Sequence, residues 1–229
     1  MAAQPAELTR AAAEWLGLAV TRAIAERGSC SLALAGGRTP EPVYRELAGA
    51  RGIDWTRVQV FFGDERAVPP DHPESNYRMV RLALLSRVPL PPGKVHRMEA
   101  ERPDREAAAR EYERLLPPRL DVLLLGMGPD GHTASLFPGS AALDERDRLV
   151  LPVTGAKPPA ERLTITPPVI EAARKVAVIA AGEDKATMVA RAIDGPLAPK
   201  AVPVQLARRG TWFLDHAAAA RLGARRVAT

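Results

Sequence analysis

The stretch of sequence that decides the fold is DVLLLGMGPDGHTASLFPG, residues 121–139. It starts with a continuous apolar run and passes directly into glycines, a proline and a histidine. An uninterrupted apolar run is typical of a parallel strand that is covered on both faces. In open α/β sheets, ligands bind beyond the carboxyl ends of such strands. This segment therefore predicts a buried strand that carries Asp130 and His132 into a ligand site.

Strand and helix patterns alternate along the rest of the chain. Such alternation is typical of an α/β fold with a mainly parallel sheet. We expect a single domain over residues 1–229, with three layers, helices on both faces of the sheet and a small subregion around 140–165. The predicted strands are 31–37, 58–64, 121–128, 162–166, 176–182, 202–208 and 211–215, and the predicted helices are 6–27, 39–47, 77–85, 104–116, 167–173 and 185–193.

Composition excludes several classes of protein. The chain is 46% apolar and 26% charged, as in ordinary globular proteins. No apolar run approaches the roughly 18 residues of a membrane span. Cys30 is the only cysteine, so neither an intrachain disulfide nor a thiolate zinc cluster can form. We therefore expect a cytoplasmic protein that does not bind a membrane.

The net charge of +5 raises the question of nucleic acid. The basic residues are spread along the chain among acidic ones, and the aromatic content of 4% is too low to provide base-stacking platforms. The terminal Arg225-Arg226 pair is expected to be a solvated tail. We expect no nucleic-acid partner, and a modest cationic bias suits an anionic small molecule equally well.

The loop after the first predicted strand is GGRTP, residues 36–40. Gly36 and Gly37 let the backbone approach a ligand closely, and the helix start that follows offers N–H groups to an anion. Arg38 and Thr39 would add a guanidinium and a hydroxyl donor. The same residues also fit a plain strand-to-helix turn capped by Thr39, since glycine-rich turns are common in α/β folds.

The next strand ends in GDER, residues 63–66, which places three ionisable residues after two phenylalanines. Arg66 can bind a phosphate with two parallel hydrogen bonds, a geometry that lysine cannot reproduce. Asp64 could orient Arg66 or take part in proton transfer. The alternative is a surface ion pair at a strand end, which contributes little to stability.

Residues 126–131, GMGPDG, match the G-x-G-x-x-G pattern of dinucleotide-binding loops. Two features argue against an NAD site. The next apolar run, LVLPVTG at 149–155, does not end in an acidic residue that would bind a ribose hydroxyl. Pro129 also places a rigid turn where the pyrophosphate-binding helix should begin. The pattern is therefore interpreted as a different kind of loop.

His132 follows Asp130 by two residues at the end of this strand. Imidazole is the usual side chain for moving a proton near neutral pH, and a neighbouring carboxylate can fix its tautomer. A structural histidine is the alternative. His132 directly follows a glycine near the end of a strand, and this position favours a functional role. His72, His96 and His216 lie in positions that favour such a role less. Lys185, one turn into a helix after a strand, could reach the same edge of the sheet or could be an ordinary solvated lysine.

Three segments together resemble a known family. LALAGGRTP (32–40), FFGDERAVPPDHPESNY (61–77) and residues 121–139 are similar to the signature segments of 6-phosphogluconolactonases. AAGEDK (180–185) and TWFLD (211–215) are similar to later segments of the same family. The resemblance extends from about Leu32 to Asp215, in the correct order and spacing.

This resemblance implies a NagB/RpiA-like fold and hydrolysis of 6-phospho-D-glucono-1,5-lactone without a cofactor or metal. It implies that His132 is the catalytic base, with Asp130 and Asp64 beside it. It also implies phosphate binding by the Gly36-Gly37 loop, Arg66 and Lys185. Many relatives carry a small hydroxyl residue where this chain has Arg38. Backbone N–H groups near Gly37 or Gly131 are the candidates for stabilising an oxyanion.

The main rival is a glucosamine-6-phosphate deaminase or isomerase, which resembles this chain in fold and in an Asp-Gly-His turn. In those relatives the turn continues toward an Asn-Glu pair, whereas residues 133–139 here read TASLFPG. Their second loop resembles Asp-Glu-Tyr, whereas this chain has Arg66. The hydrolase is preferred, because an acid needed for ring opening is absent from the turn. Another alternative, a sugar-phosphate-binding regulator, would need an attached DNA-binding module. The oligomeric state stays open, and a monomer is among the states left open.

Overall fold

Two β-sheets organise the chain in the computed structural model, which describes residues 5–156 and 158–223. The Arg225-Arg226 pair and the ends of the predicted 1–229 domain lie outside the described residues. The strands are β1 (Cys30–Leu34), β2 (Val58–Phe62), β3 (Asp64–Arg66), β4 (Val122–Gly126), β5 (Val150–Thr154), β6 (Glu161–Ile165), β7 (Lys175–Ala180) and β8 (Thr211–Leu214). The α-helices are α1 (Pro5–Arg27), α2 (Pro40–Ala48), α3 (Asn76–Ala83), α4 (Arg105–Leu115), α5 (Pro167–Ala172), α6 (Ala186–Ile193) and α7 (His216–Ala219).

The larger sheet is parallel and has the strand order β2-β1-β4-β7-β8. The order reverses between β1 and β4, because β2 lies on one side of β1 and the later strands follow on the other. Right-handed crossovers on the two sides of such a reversal place their helices on opposite faces, here α2 and α6. The predicted α/β class with a mainly parallel sheet is confirmed. The reversal also marks the place where a ligand site is expected.

The smaller sheet is antiparallel and has the order β3-β6-β5. The sequence predicted one strand over 58–64, whereas β2 ends at Phe62 and β3 begins at Asp64. Gly63 joins the two sheets, since its N–H donates to Leu34 O at 3.1 Å and its carbonyl accepts from Ile165 N at 2.9 Å. Strands β5 and β6 form the subregion expected around residues 140–165.

The predicted strand at 202–208 is wrong, because residues Pro203–Ala207 form a 3₁₀ turn. Within this apolar pattern, one buried polar side chain determines the local backbone structure. The Gln205 amide accepts from Ala198 N at 2.6 Å and donates to Arg191 O and Pro196 O, both at 2.9 Å. A strand would place these hydrogen bonds out of reach, so a tertiary contact overrides the local pattern.

The core lies around the central strands of the larger sheet. All five residues of β1 are buried, as are the first four of β4, which explains their apolar character at every position. Tyr112 from α4 joins this core, and its hydroxyl accepts from Phe62 N at 2.8 Å. None of the described helices is long and apolar enough to cross a membrane.

The amino ends of β1 and β4 are joined by the buried carboxylate of Asp121. It accepts from Ser31 N and Ser31 Oγ, both at 2.9 Å, and from Arg27 Nε at 2.7 Å.

We expect Asp121→Ala to lower the free energy of unfolding by about 2–4 kcal/mol, because it leaves a buried N–H unpaired. Chemical denaturation measures this. Asp121→Asn, which keeps an acceptor, should lose less, and a loss under about 0.5 kcal/mol for the alanine variant would contradict the assignment.

Candidate active site

A cavity of about 230 Å³ lies where the strand order reverses, at the carboxyl ends of β1 and β4. Residues from the loops after β1, β4 and β7, from β3 and β6, and from the start of α3 contribute to it. The predicted site residues that line it are Gly36, Gly37, Arg38, Thr39, Asp64, Arg66, His132 and Lys185. Asp130 and Gly131 do not line it. Three segments that are far apart in the sequence therefore meet at one cavity.

The His132 ring is oriented by the turn that precedes it. Its Nδ1 lies 2.5 Å from Asp130 Oδ1, whereas its Nε2 has no hydrogen-bond partner within the described residues. Burial raises the pKa of Asp130, but the charge of His132 and its hydrogen bond outweigh this and hold that pKa below its usual value. The Asp130 carboxylate is placed to accept Nδ1–H, and in the neutral imidazole this tautomer leaves the Nε2 lone pair available.

Gly128 makes room for this arrangement. A Cβ atom at position 128 would lie 2.1 Å from both Cε1 and Nδ1 of His132. The turn is closed by two backbone bonds, from Gly128 N to His132 O at 2.9 Å and from Gly131 N to Gly128 O at 3.1 Å. Because its N–H is used inside the turn, Gly131 is not available as an oxyanion donor. Gly131 has φ +84°, so it serves the turn itself.

The segment after His132 is held against the smaller sheet. Ala134 has φ +47°, which is strained for a residue with a Cβ atom, and it lines the cavity. Its conformation is fixed by the next residue, because Ser135 N donates to Thr164 Oγ1 at 3.0 Å and Ser135 Oγ donates to Asp64 Oδ2 at 2.6 Å. Strain of this kind persists where surrounding contacts over-determine it.

Asp64 is buried and its carboxylate is already hydrogen-bonded. Oδ2 accepts from Ser135, and Oδ1 accepts from Asn76 Nδ2 at 3.1 Å. Asn76 also donates to the Asp64 carbonyl at 2.9 Å and accepts from Arg66 Nη1 at 2.7 Å. Asp64 therefore orients Arg66 through Asn76, which agrees with one of the two roles considered for it.

Asn76 can occupy this position because residue 36 is glycine. A Cβ atom on Gly36 would lie 1.8 Å from Asn76 Oδ1. The first turn of α3 is held by Glu65, a buried carboxylate that accepts from Asn76 N at 2.8 Å and from Tyr77 N at 2.7 Å. Burial raises the pKa of Glu65, and these N–H donors oppose that effect.

The loop after β1 presents free donors to the cavity. Thr39 stands at the N-cap of α2 without a side-chain capping bond, so the expected cap is not made. Gly37 has φ +101°, which turns the chain into α2. Arg38 is exposed and makes no hydrogen bond or ion pair within the described residues. Lys185, by contrast, pairs with Asp184 at 2.9 Å.

The cavity carries an excess of positive charge. Among the described residues, four cationic side chains line it, and the only carboxylate in the lining is that of Asp64. Such a cavity attracts an anion and raises its local concentration. The cations are Arg38, Arg66, Arg162 and Lys185.

Asn76, Ser135 and Arg162 were missed as site residues by sequence reasoning. Asn76 and Ser135 lie inside the segments quoted for the family resemblance, at 61–77 and 121–139, which is the signal that could have found them. Arg162 enters the cavity only because β6 pairs with β3 in a particular register. No spacing in the sequence encodes that contact.

A family model for "glucosamine-6-phosphate isomerases/6-phosphogluconolactonase" matches residues 3–214. The chain belongs to this family. It is 42% identical to a 6-phosphogluconolactonase of Synechocystis, over 89% of each chain. It is also similar to the solved 6-phosphogluconolactonase of Trypanosoma brucei, with a TM-score of 0.84, 31% identity and 97% of each chain covered.

The fold alone does not separate the two activities named in the family description. A monomeric glucosamine-6-phosphate deaminase matches this chain with a TM-score of 0.83 at 23% identity, over 95% of this chain and 97% of that one. Likeness at that level of identity concerns the fold only. The family model places the chain in the family, and the residues of the site, more than the fold, distinguish the two activities.

The contact between Gly36 and Asn76 can be tested by a double-mutant cycle. We expect Gly36→Ala to lower the free energy of unfolding by about 1–3 kcal/mol, because the added Cβ overlaps the Asn76 amide. In an Asn76→Ala background the same substitution should cost less than about 0.5 kcal/mol, since the overlapping atoms are gone. Gly93→Ala is the matched control, because a Cβ added at position 93 would meet no atom within 4 Å. Equal costs in both backgrounds would contradict the contact.

Proposed function

We propose that this chain hydrolyses 6-phospho-D-glucono-1,5-lactone to 6-phospho-D-gluconate, a step of the oxidative pentose phosphate pathway. The observation that carries this is the position of His132, whose Nε2 is unpartnered within the described residues and whose ring lines a cationic cavity. The 42% identity to a 6-phosphogluconolactonase over 89% of the chain supports the same substrate. The cytoplasmic location stays a prediction, and the oligomeric state stays open.

His132 is the general base in this proposal. Nε2 removes a proton from a water molecule as the water oxygen bonds to C1 of the lactone. The C1–ring oxygen bond then breaks, and the protonated imidazole returns its proton to the departing oxygen. Acid–base assistance of this kind contributes about 10²–10⁴-fold. Asp130 contacts the ring and not the cavity, so it acts as a positioning residue that keeps the proton on Nδ1.

The negative charge of the substrate's phosphate group complements the cationic groups that line the rest of the cavity. A phosphate monoester carries close to two negative charges at neutral pH, and the cavity offers the Gly36-Gly37 loop, Thr39, Arg66 and Lys185 as its partners. Arg38, exposed at the rim, completes the set assigned to substrate binding. Phosphate binding orients the lactone carbonyl relative to Nε2, which lowers the entropic part of the barrier.

Asp64 has a positioning role in this proposal. Both of its carboxylate oxygens accept hydrogen bonds, from Asn76 and from Ser135, so it is poorly placed to accept a proton from water. It holds Asn76 against Arg66 on one side and the His132 segment on the other.

The base assignment is tested by a paired assay. With wild type and His132→Ala, acid release from 6-phosphogluconolactone and ammonia release from glucosamine 6-phosphate are followed in parallel. We expect the wild type to accelerate lactone hydrolysis only, and we expect the variant to lose about 10²-fold or more in kcat. Ammonia release by the wild type would favour the deaminase instead. Near-full lactone hydrolysis by His132→Ala would remove His132 from the mechanism but not the activity.

The positioning role of Asp130 predicts a different kinetic pattern. Asp130→Asn removes the charge that holds Nδ1–H, so we expect kcat to fall about tenfold or more while KM changes by less than about twofold. Asp144→Asn is the matched control, because Asp144 is a similarly exposed carboxylate whose partner, Lys200, lies outside the cavity lining. A change in KM with an unchanged kcat would place Asp130 in substrate binding.

A further inference from the structure

Strands β3 and β6 place two arginines directly opposite each other. In the antiparallel register Arg66 faces Arg162, and both side chains line the cavity. The Cβ atoms of residues directly opposite in such a pair are about 4.5–5.5 Å apart, and like charges there destabilise the sheet. An anion bound between the two guanidinium groups would reverse that repulsion.

The protein leaves both guanidinium groups partly unsatisfied. Nε of Arg66 and Nε of Arg162 are the buried side-chain polar atoms without a hydrogen-bond partner in the described part of the chain. Arg66 uses Nη1 for Glu74 O and for Asn76, each at 2.7 Å. Neither Nε–H group is paired within the described residues, and unpaired buried donors are costly.

Within the described residues, Arg162 lacks a close carboxylate. Its Nη1 lies 3.9 Å from Asp64 Oδ2, which is too long for a hydrogen bond, although its side chain is only 12% exposed. Glu65, the other buried carboxylate of β3, is committed to the first turn of α3. Burial lowers the pKa of Arg162, and the charge of Arg66 adds to this against the opposing pull of Asp64.

The position of Arg162 is fixed by Phe137. The Arg162 Cζ lies 5.8 Å from the centroid of this ring, and the same ring lies 5.0 Å from that of His132. A Cβ on Gly155 would lie 2.9 Å from Phe137 Cζ and 3.3 Å from Arg162 Nε, so residue 155 leaves room for both side chains. The guanidinium is thus held in place before any ligand binds, which reduces the entropy lost on binding.

We propose that Arg162 and Arg66 together bind the phosphate group of the substrate, as a cross-strand pair of guanidinium groups. This assignment rests on the proposed function and adds a residue to its phosphate site. Two guanidinium groups match a dianion and can each donate to separate phosphate oxygens. A neutral lactone carbonyl would leave the repulsion between them uncompensated.

Isothermal titration with inorganic phosphate and with 6-phosphogluconate tests the pair. We expect Arg162→Ala to raise the Kd of both ligands by a similar factor, about 10- to 100-fold, as Arg66→Ala should. Arg162→Lys, which keeps the charge but not the fork, should raise both by less and covers the case in which the alanine variant fails to fold. Arg105→Ala is the control, because Arg105 bonds to the neighbouring Glu161 and lies outside the cavity lining.

The outcomes separate the possible roles. A phosphate Kd for the Arg162 variants within about twofold of wild type, with weakened 6-phosphogluconate binding, would place Arg162 at the carboxylate end and overturn the pair. Absence of phosphate binding by wild type would overturn it as well. If wild type binds phosphate through both arginines but does not hydrolyse the lactone, the proposed function fails and the anion site stands.

Discussion

The buried carboxylate of Asp64 is the contact on which the rest of the site depends. It belongs to the smaller sheet, yet it accepts from Ser135 in the loop after β4 and from Asn76 at the start of α3. A buried charge is stable only when its lone pairs are satisfied, so the three elements must meet in one arrangement. That arrangement sets the position of the segment that carries His132 relative to Arg66.

Much of the fold and of the candidate site could be predicted from the sequence, because these features depend on local sequence patterns. Continuous apolar runs identified β1, β2, β4 and β7, and the polar loops after them identified most of the cavity lining. What could not be predicted depends on contacts between distant segments. Arg162 reaches the cavity through the β3–β6 register, and Gln205 turns an apolar run into a 3₁₀ turn through bonds to residues 191–198.

There is a second physical reason why residues 36 and 128 are glycine, and the sequence alone did not reveal it. We interpreted Gly36 as permitting close approach of a ligand, and Gly128 as part of a pattern shared with dinucleotide-binding loops. In the structure each one also makes space for a side chain that lines the cavity, Asn76 beside Gly36 and His132 beside Gly128. A glycine-rich motif can thus reflect the packing of side chains against the backbone, which explains how it resembles a nucleotide motif without the same use.

The balance of groups in the cavity follows from the chemistry of the substrate. A lactone hydrolyses unaided in water, so in the proposed mechanism one oriented imidazole supplies enough chemical assistance, and most of the catalytic gain comes from holding the carbonyl near Nε2. Holding a small, polar and flexible molecule requires strong contacts at a site remote from the reacting bond. In the proposed function, a cavity lined within the described residues by four cations and one hydrogen-bonded carboxylate meets that need through the phosphate. This arrangement of charges destabilises the unliganded protein, because the like charges of Arg66 and Arg162 face each other across a strand pair.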